Sequence, residues 1–253
     1  RCQANELTAL DVSSNTALTT LSLGLNNLDS LDVSNNTALT LLSCSQNQLD
    51  RLDVSANTAL TQLYCGYNQI TSLDVSSNTA LTYLACAGND LTALDVGANT
   101  ALIYLKCSEN QLTSLDVSIN TALTALNVSF NKLTSLDVSS NTALKTLELG
   151  STQLTSLDVS RNTALTYLGC GDSQLTSLDV SRNTALTQLH CNNNQLTYLN
   201  MRNGVKEQLS NFNAKGNPSL TCIETLDPSY ATANWTSANG NIEEGVTFSV
   251  ICG

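Results

Sequence analysis

Proline is almost missing from this 253-residue chain: there are two, and both lie after residue 217. Everything before them is free to form uninterrupted backbone ladders, which proline breaks by removing an N–H donor. Aromatic residues make up 4%, few for the core of a compact globular domain; the apolar content is mostly Leu, Val, Ala and Cys, which suits a narrow, repeated core. Positive charge is scarce as well. Ten Lys and Arg against 21 Asp and Glu leave a net charge of −11, which argues against nucleic acid or an anionic membrane surface as partner. No run of 18 apolar residues exists, so no helical membrane insertion is expected. A single histidine, His190, and the lack of any Cys-x-x-Cys spacing or Gly-rich phosphate loop leave little material for catalysis or a zinc site. Signal peptide and sorting tail are missing too, and Arg1-Cys2 falls in mid-repeat; the expectation is a processed or trimmed piece of something longer.

What is present is a repeat. The string LDVSxNTAL returns every 21 residues, placing Asp11, Asp32, Asp53, Asp74, Asp95, Asp116, Asp137, Asp158 and Asp179 in one slot. A fixed period of this length means stacked turns of one solenoid, in which each position of the repeat becomes a stripe. Nine of the 21 acidic residues belong to this one stripe, so the acidity is architectural rather than a tail. Uniform stripes are explained by stacking. Function is to be sought in those that vary.

Residues 70–90 show how one turn is built. Two half-repeats share the shape L-x-x-L-x-Φ-x-x-N, where Φ is apolar. In the first, Ile70, Leu73 and Val75 point inward with Asp74 outward; in the second, Leu81, Leu84 and Cys86 point inward with Ala85 outward. Each L-x-Φ triplet alternates as a short strand does, so parallel ladders are expected on both sides of the turn. Asn78 and Asn89 close the two halves, their inward amides satisfying backbone groups freed where a strand turns. The pattern breaks after Leu199, and Phe212, Ala214 and Asn217 read as one last irregular turn. The boundaries expected are a solenoid over 1–205 and an irregular last turn with a C-terminal cap over 206–253.

The alternation of L-x-x-L-x-C-x-x-N with LxxLDVSxNTA resembles bacterial leucine-rich-repeat proteins of the internalin group, in particular its cysteine-ladder kind, and is also similar to secreted leucine-rich-repeat proteins of the Bacteroidetes. The resemblance covers residues 1 to about 205. It implies a leucine-rich-repeat solenoid of 21-residue turns with little α-helix, the L-x-C-x-x-N strands forming a concave sheet and the LDVS side a convex one of short strands and turns. Departures are local: Leu23, Val128 and Leu149 stand in the Cys slot, and Thr152 and Ser173 replace the following Asn, which should interrupt that ladder. The segment from Asn217 to Thr236 looks like the terminal cap of flavobacterial secreted repeat proteins. A cap carrying Trp235, Phe248 and Ile251 would cover the apolar cross-section of the last turn, and a Cys222–Cys252 disulfide would staple it at roughly 3 to 4 kcal/mol. Such a bridge implies an oxidising, extracytoplasmic location, secreted or on the cell surface.

The other cysteines (Cys2, Cys44, Cys65, Cys86, Cys107, Cys170, Cys191) share one inward slot with Leu and Val, so they read as buried thiols packed as small hydrophobes. The Asp stripe reads as solubility and structure, with Ser72 and Ser76 placed to hydrogen-bond Asp74. Calcium is its functional alternative, making Asp53, Asp74, Asp95 and Asp116 weak metal candidates, although one carboxylate per turn without an acidic loop favours no metal and no cofactor. Diversity is confined to the other side. Outward positions along the L-x-C strand and its flank read Tyr64, Tyr67, Tyr83, Tyr104, Lys106, Asn127, Phe130, Glu148, Tyr167, Gln188 and His190. That is what a recognition surface leaves, and tyrosine offers contact area plus a hydroxyl at low entropic cost. The same pattern would also arise from neutral strand formers on an exposed sheet. His190 and Cys191 face opposite sides of their strand, which denies a nucleophile–base pair. Thr ranks (Thr58, Thr79, Thr100; Thr61, Thr82, Thr124) resemble those of ice-binding repeats, yet Ile103 and Lys145 interrupt them and turn chemistry explains the first set. The expectation is therefore a non-enzymatic, monomeric bacterial adhesion module that binds a host or neighbouring-cell protein or glycan through the concave face. A spacer within a larger surface protein is the structural alternative, and ice binding the remaining one.

Overall fold

The computed structural model describes residues 2–253, so the start at Arg1 lies outside the described residues. Two compact units divide at Leu123/Thr124. In the first, the Leu of each L-x-C triplet and its two neighbours form β1 (Thr20–Ser22), β2 (Leu41–Ser43), β3 (Gln62–Tyr64), β4 (Tyr83–Ala85) and β5 (Tyr104–Lys106). They pair in parallel at a step of one repeat, so Leu21, Leu42, Leu63, Leu84 and Leu105 form one column. Leu42, Leu63, Leu84 and Leu105 are fully buried, each contributing ~1.5–3 kcal/mol of burial. No turn can bury this column alone; each supplies the lid of the next.

The second unit continues the pattern with β6 (Ala125–Asn127), β7 (Thr146–Glu148), β8 (Tyr167–Gly169), β9 (Ser177–Asp179), β10 (Gln188–His190), β11 (Tyr198–Met201), β12 (Asn211–Asn213), β13 (Cys222–Thr225), α1 (Pro228–Asn234) and β14 (Thr247–Ser249). Strands β6, β7, β8, β10 and β12 make its main sheet. Phe212 of β12 takes the Leu column over from Leu189, and Asn217 donates to the Cys191 and Ala214 carbonyls, so the irregular last turn keeps the stacking rules.

The expected ladder on the Asp side forms only late. The LDV triplets of the first unit carry no strand, whereas β9, β11, β13 and β14 pair into a second sheet. Charge supplies a reason. In the early turns carboxylate follows carboxylate, and Asp32 feels both Asp11 and Asp53. The second sheet begins where the stripe turns neutral: Asn200 pairs with Asp179, and its Nδ2 donates to Asp179 Oδ2 at 3.2 Å. Like charges push neighbouring segments apart and an amide–carboxylate pair draws them together.

Two asparagine ladders replace the backbone bonds lost at the turns. Asn89 Nδ2 donates to the Cys65 and Cys86 carbonyls, and its Oδ1 accepts from the Ile70 N–H. On the other edge Asn78 Nδ2 donates to the Val54 and Asn57 carbonyls at 3.0 and 2.8 Å. At Thr152 and Ser173 the first ladder shrinks to a Thr–Ser hydroxyl pair, a bond from the Thr152 hydroxyl to the Leu149 carbonyl, and longer bonds at Ser173 Oγ, which accepts from the Thr152 N–H at 3.3 Å and donates to the Gly171 carbonyl at 3.4 Å, because a hydroxyl is shorter than the amide it replaces.

The cap follows from its own sequence. Asp227 accepts the Tyr230 N–H and Pro228 occupies the first turn of α1, the usual start of a helix. Trp235 is buried against Phe212 and Phe248 at centroid distances of 5.1 and 6.0 Å. Cys222 and Cys252 are disulfide-bonded. Ile251 does not join this core; it is 68% exposed, and Ile242 is buried instead. The bridge turns Cys252 toward β13 and leaves its neighbour on the solvent side.

Candidate interaction face

The outward residues of the main strands are half-buried while the central Leu of each is covered. In the first unit this assembles Tyr64, Tyr83 and Tyr104. Tyr83 and Tyr104 stack at 4.0 Å with an interplanar angle of 3°, as one-repeat pairing of β4 with β5 dictates. Tyr64 reaches Tyr83 diagonally at 4.9 Å and donates to Gln62 Oε1 at 3.2 Å. Burial, with the Tyr104 hydroxyl beside it, pushes the Tyr83 phenol up to about 12, so it stays a neutral hydrogen-bonding group. Of the residues flanking the central Leu in β1 to β5, only Lys106 is charged.

Tyr67 and Phe130 sit elsewhere than the strand alternation predicts. Each lies just beyond its strand, in the left-handed region with φ 55°. Leu25, Gln46, Glu109, Ser151, Asp172 and Asn193 adopt the same conformation in their turns, at a cost of about 1–2 kcal/mol per residue bearing a side chain. Tyr67 is 46% exposed and Phe130 61%. The Tyr67 hydroxyl donates to Glu109 Oε1, two turns on, at 3.0 Å, and this bond holds its proton above the usual phenol range. Its ring crosses Gly88 on the way. A Cβ on Gly88 would lie 2.5, 2.8 and 3.1 Å from Tyr67 Cδ1, Cε1 and Cγ. Sequence reasoning missed Gly88 and Glu109 as partners of Tyr67; aligning the flank beyond the strand at the 21-residue offset would have brought them into one column.

In the second unit a polar row replaces the aromatic one. Asn127 Nδ2 donates to Glu148 Oε2 at 2.7 Å, and the Tyr167 hydroxyl lies 3.4 Å from His190 Nδ1 with the rings edge-on. Gly169 makes room for Tyr167, whose Cε1 and hydroxyl would crowd a Cβ there. Gln188 flanks the same strand as His190.

The Asp side carries less variety. Each carboxylate accepts the N–H two residues on: Ser55 for Asp53, Ser76 for Asp74, Gly97 for Asp95 and Ser118 for Asp116, at 2.7–2.9 Å. The bonds from Ser55 and Ser76 hold Asp53 and Asp74 below the ordinary carboxylate range. Open clefts separate these turns, one of them lined by Ser30, Asp32, Arg51, Asp53 and Asp74. Among the described residues no group of three His, Cys, Asp or Glu could hold a metal ion. Six of the seven free cysteines are buried; Cys2 is only half-buried, being covered on one side by the β1 turn. Cys191 is buried, with its thiol pushed well above the ordinary range by desolvation, while His190 lies on the outer side of β10. The Thr ranks tie one turn to the next, since Thr61 and Thr82 donate to the Thr40 and Thr61 carbonyls.

No protein-family model matches the chain, and no curated protein sequence matches it. Among solved structures, the functional domain of InlJ from Listeria monocytogenes, described as including a cysteine ladder, is similar at 38% identity and a TM-score of 0.75, with 92% of this chain and 56% of that one covered. The leucine-rich effector YopM from Yersinia pestis aligns at 22% identity and a TM-score of 0.69 over 88% of this chain and 66% of its own. The internalin inlF from Listeria monocytogenes aligns at 20% and 0.53, covering 99% and 86%. The last two likenesses are of fold. This chain spans little more than half of the InlJ domain.

Proposed function

From a chain that belongs to the leucine-rich-repeat proteins of the internalin type, we infer a non-enzymatic binding module, secreted or displayed on a bacterial surface, that holds a protein or glycan partner on its strand face. One observation carries this: the tyrosine stack of Tyr64, Tyr83 and Tyr104, on a nearly uncharged face of a protein with net charge −11. Stacking costs nothing when a partner arrives, because β3 to β5 hold the rings in place beforehand, and preorganised contact area is what raises affinity. Lys106, Glu148, Tyr167 and His190 add polar contacts along the same kind of strand, and Phe130 an exposed apolar one. Of the solved relatives, one is described as a functional domain with a cysteine ladder and another as a leucine-rich effector protein. The Cys222–Cys252 bridge suits an oxidising compartment, and no helix is long and apolar enough to cross a membrane among the described residues.

The test is an immobilised screen of glycans, mucins and matrix proteins against the native chain and a Tyr83→Ala, Tyr104→Ala, Tyr167→Ala variant. Capture by the native chain, lost in the folded variant, is the expected result. Absence of any capture, or capture indifferent to these tyrosines, would favour the spacer reading.

A further inference from the structure

We propose that Tyr67, backed by Gly88 and pinned by Glu109, is a platform for a sugar ring of an uncharged glycan; the proposal deepens the strand-face reading and rests on it. The three nearest ring atoms stand at nearly equal distances from the Gly88 Cβ position, 2.5, 2.8 and 3.1 Å. That is the pattern of a ring lying face-on over the glycine rather than edge-on to it. One face of Tyr67 is thus seated on backbone, while the residue as a whole is 46% exposed, which leaves the opposite face to solvent.

Backbone conformation alone does not call for glycine at position 88. Leu25, Gln46, Glu109, Ser151 and Asp172 occupy the equivalent slot with φ of 53–60°. What distinguishes position 88 is the ring laid across it, since any Cβ there would meet three of its carbons. Glycine is the residue that permits such close approach. The ring is also tethered at both ends, by a left-handed backbone at Tyr67 and by the 3.0 Å bond from its hydroxyl to Glu109 Oε1. A ring already immobilised gives up little entropy on binding.

The chemistry around the platform selects the ligand. A flat aromatic face favours an apolar ring face, and the second Glu109 oxygen together with the phenolic lone pairs accepts hydrogen bonds, so the ligand must bring donors. A sugar offers both: a C–H face and a rim of hydroxyls. A carboxylate at the rim and a net charge of −11 disfavour uronates, sulfated chains and nucleic acids.

The experiment is affinity gel electrophoresis of the whole chain through soluble xylan, galactomannan, hydroxyethylcellulose and dextran, with polygalacturonate as the anionic comparison. Retardation by at least one neutral polysaccharide is expected, weakened about tenfold by Tyr67→Ala, the scale of one aromatic contact. Gly88→Ala should weaken it as well by lifting the ring, whereas Ile119→Ala, which removes an exposed apolar side chain from the LDVSxNTAL string, should not. Near-UV circular dichroism checks that each variant is folded, and Tyr67→Ala carries the test if Gly88→Ala is not. Retardation that ignores Tyr67 and Gly88 but disappears with Tyr83→Ala and Tyr104→Ala would overturn the platform and leave the strand-face reading intact. Capture of a protein through those strand tyrosines, with no polysaccharide bound, would overturn the glycan class alone. Binding independent of all these tyrosines would overturn both.

Discussion

Asn78 shows how much one side chain can carry. Its amide donates to two buried carbonyls of the preceding turn, so Asn78→Ala leaves both without that donor. A loss of about 2–3 kcal/mol is expected in urea unfolding, and a change under ~0.5 kcal/mol would mean the ladder is decorative. Leu105→Asp is harsher: it places a charge at a fully buried position of the Leu column, at a cost of at least ~3 kcal/mol. An unchanged midpoint would refute the assignment of Leu105 to the core. The buried thiols should be silent. Burial pushes Cys44 and Cys86 up to about 12, so a thiol reagent at pH 8 should label native protein at Cys2 alone and reach the other six only on unfolding. Inward positions such as these were readable from the repeat, because a two-residue alternation assigns every second side chain to the core. Tyr67 was not, since its left-handed backbone departs from the strand alternation of the residues before it.

Among the elements, the cap offers the clearest test. The Cys222–Cys252 bridge closes a segment with a sequence separation of 30, and in the chain-entropy model a loop of this size contributes about 3–4 kcal/mol. Cys222→Ser with Cys252→Ser should therefore loosen β13, α1 and β14 first, seen as a red shift of Trp235 emission before the main unfolding transition. Simultaneous loss of both signals would show that the cap and the turns beneath it unfold together. Strand positions on the L-x-C side were legible because Leu, Cys and Asn recur without drift. The second sheet was only half legible. The LDV triplets of the early turns stay unpaired, whereas the one entering β9 pairs with Leu199 and Asn200 of β11, and the difference arises from Asn200 standing against Asp179, a contact between turns that no single triplet encodes.

Within each repeat, the carboxylate and the variable strand residues occupy different slots. Asp11, Asp32, Asp53, Asp74, Asp137 and Asp158 are all held below their usual value of 3.8, chiefly by the serine two residues on. A lowered folded-state value means stability that is present above the unfolded value and is lost as pH falls through the depressed range. Thermal midpoints should hold steady from neutral pH down to about 4 and then decline. A midpoint that rises on acidification would mean that repulsion along the stripe outweighs the serine bonds. Asp53→Asn with Asp74→Asn should flatten the decline, because those two positions no longer titrate.

The repeat by itself determined the solenoid, the inward columns, the two asparagine ladders and the segregation of variable residues, because a fixed 21-residue period makes every position a neighbour of its own copies. Tertiary structure alone decided which variable residues meet. Tyr83 faces Tyr104 through strand register, but Tyr67 reaches Glu109 across two turns only because Gly88 leaves the path open. A contact of that kind depends on backbone handedness and on the absence of a side chain, and neither is expressed in the pattern of apolar and polar residues from which the fold was read.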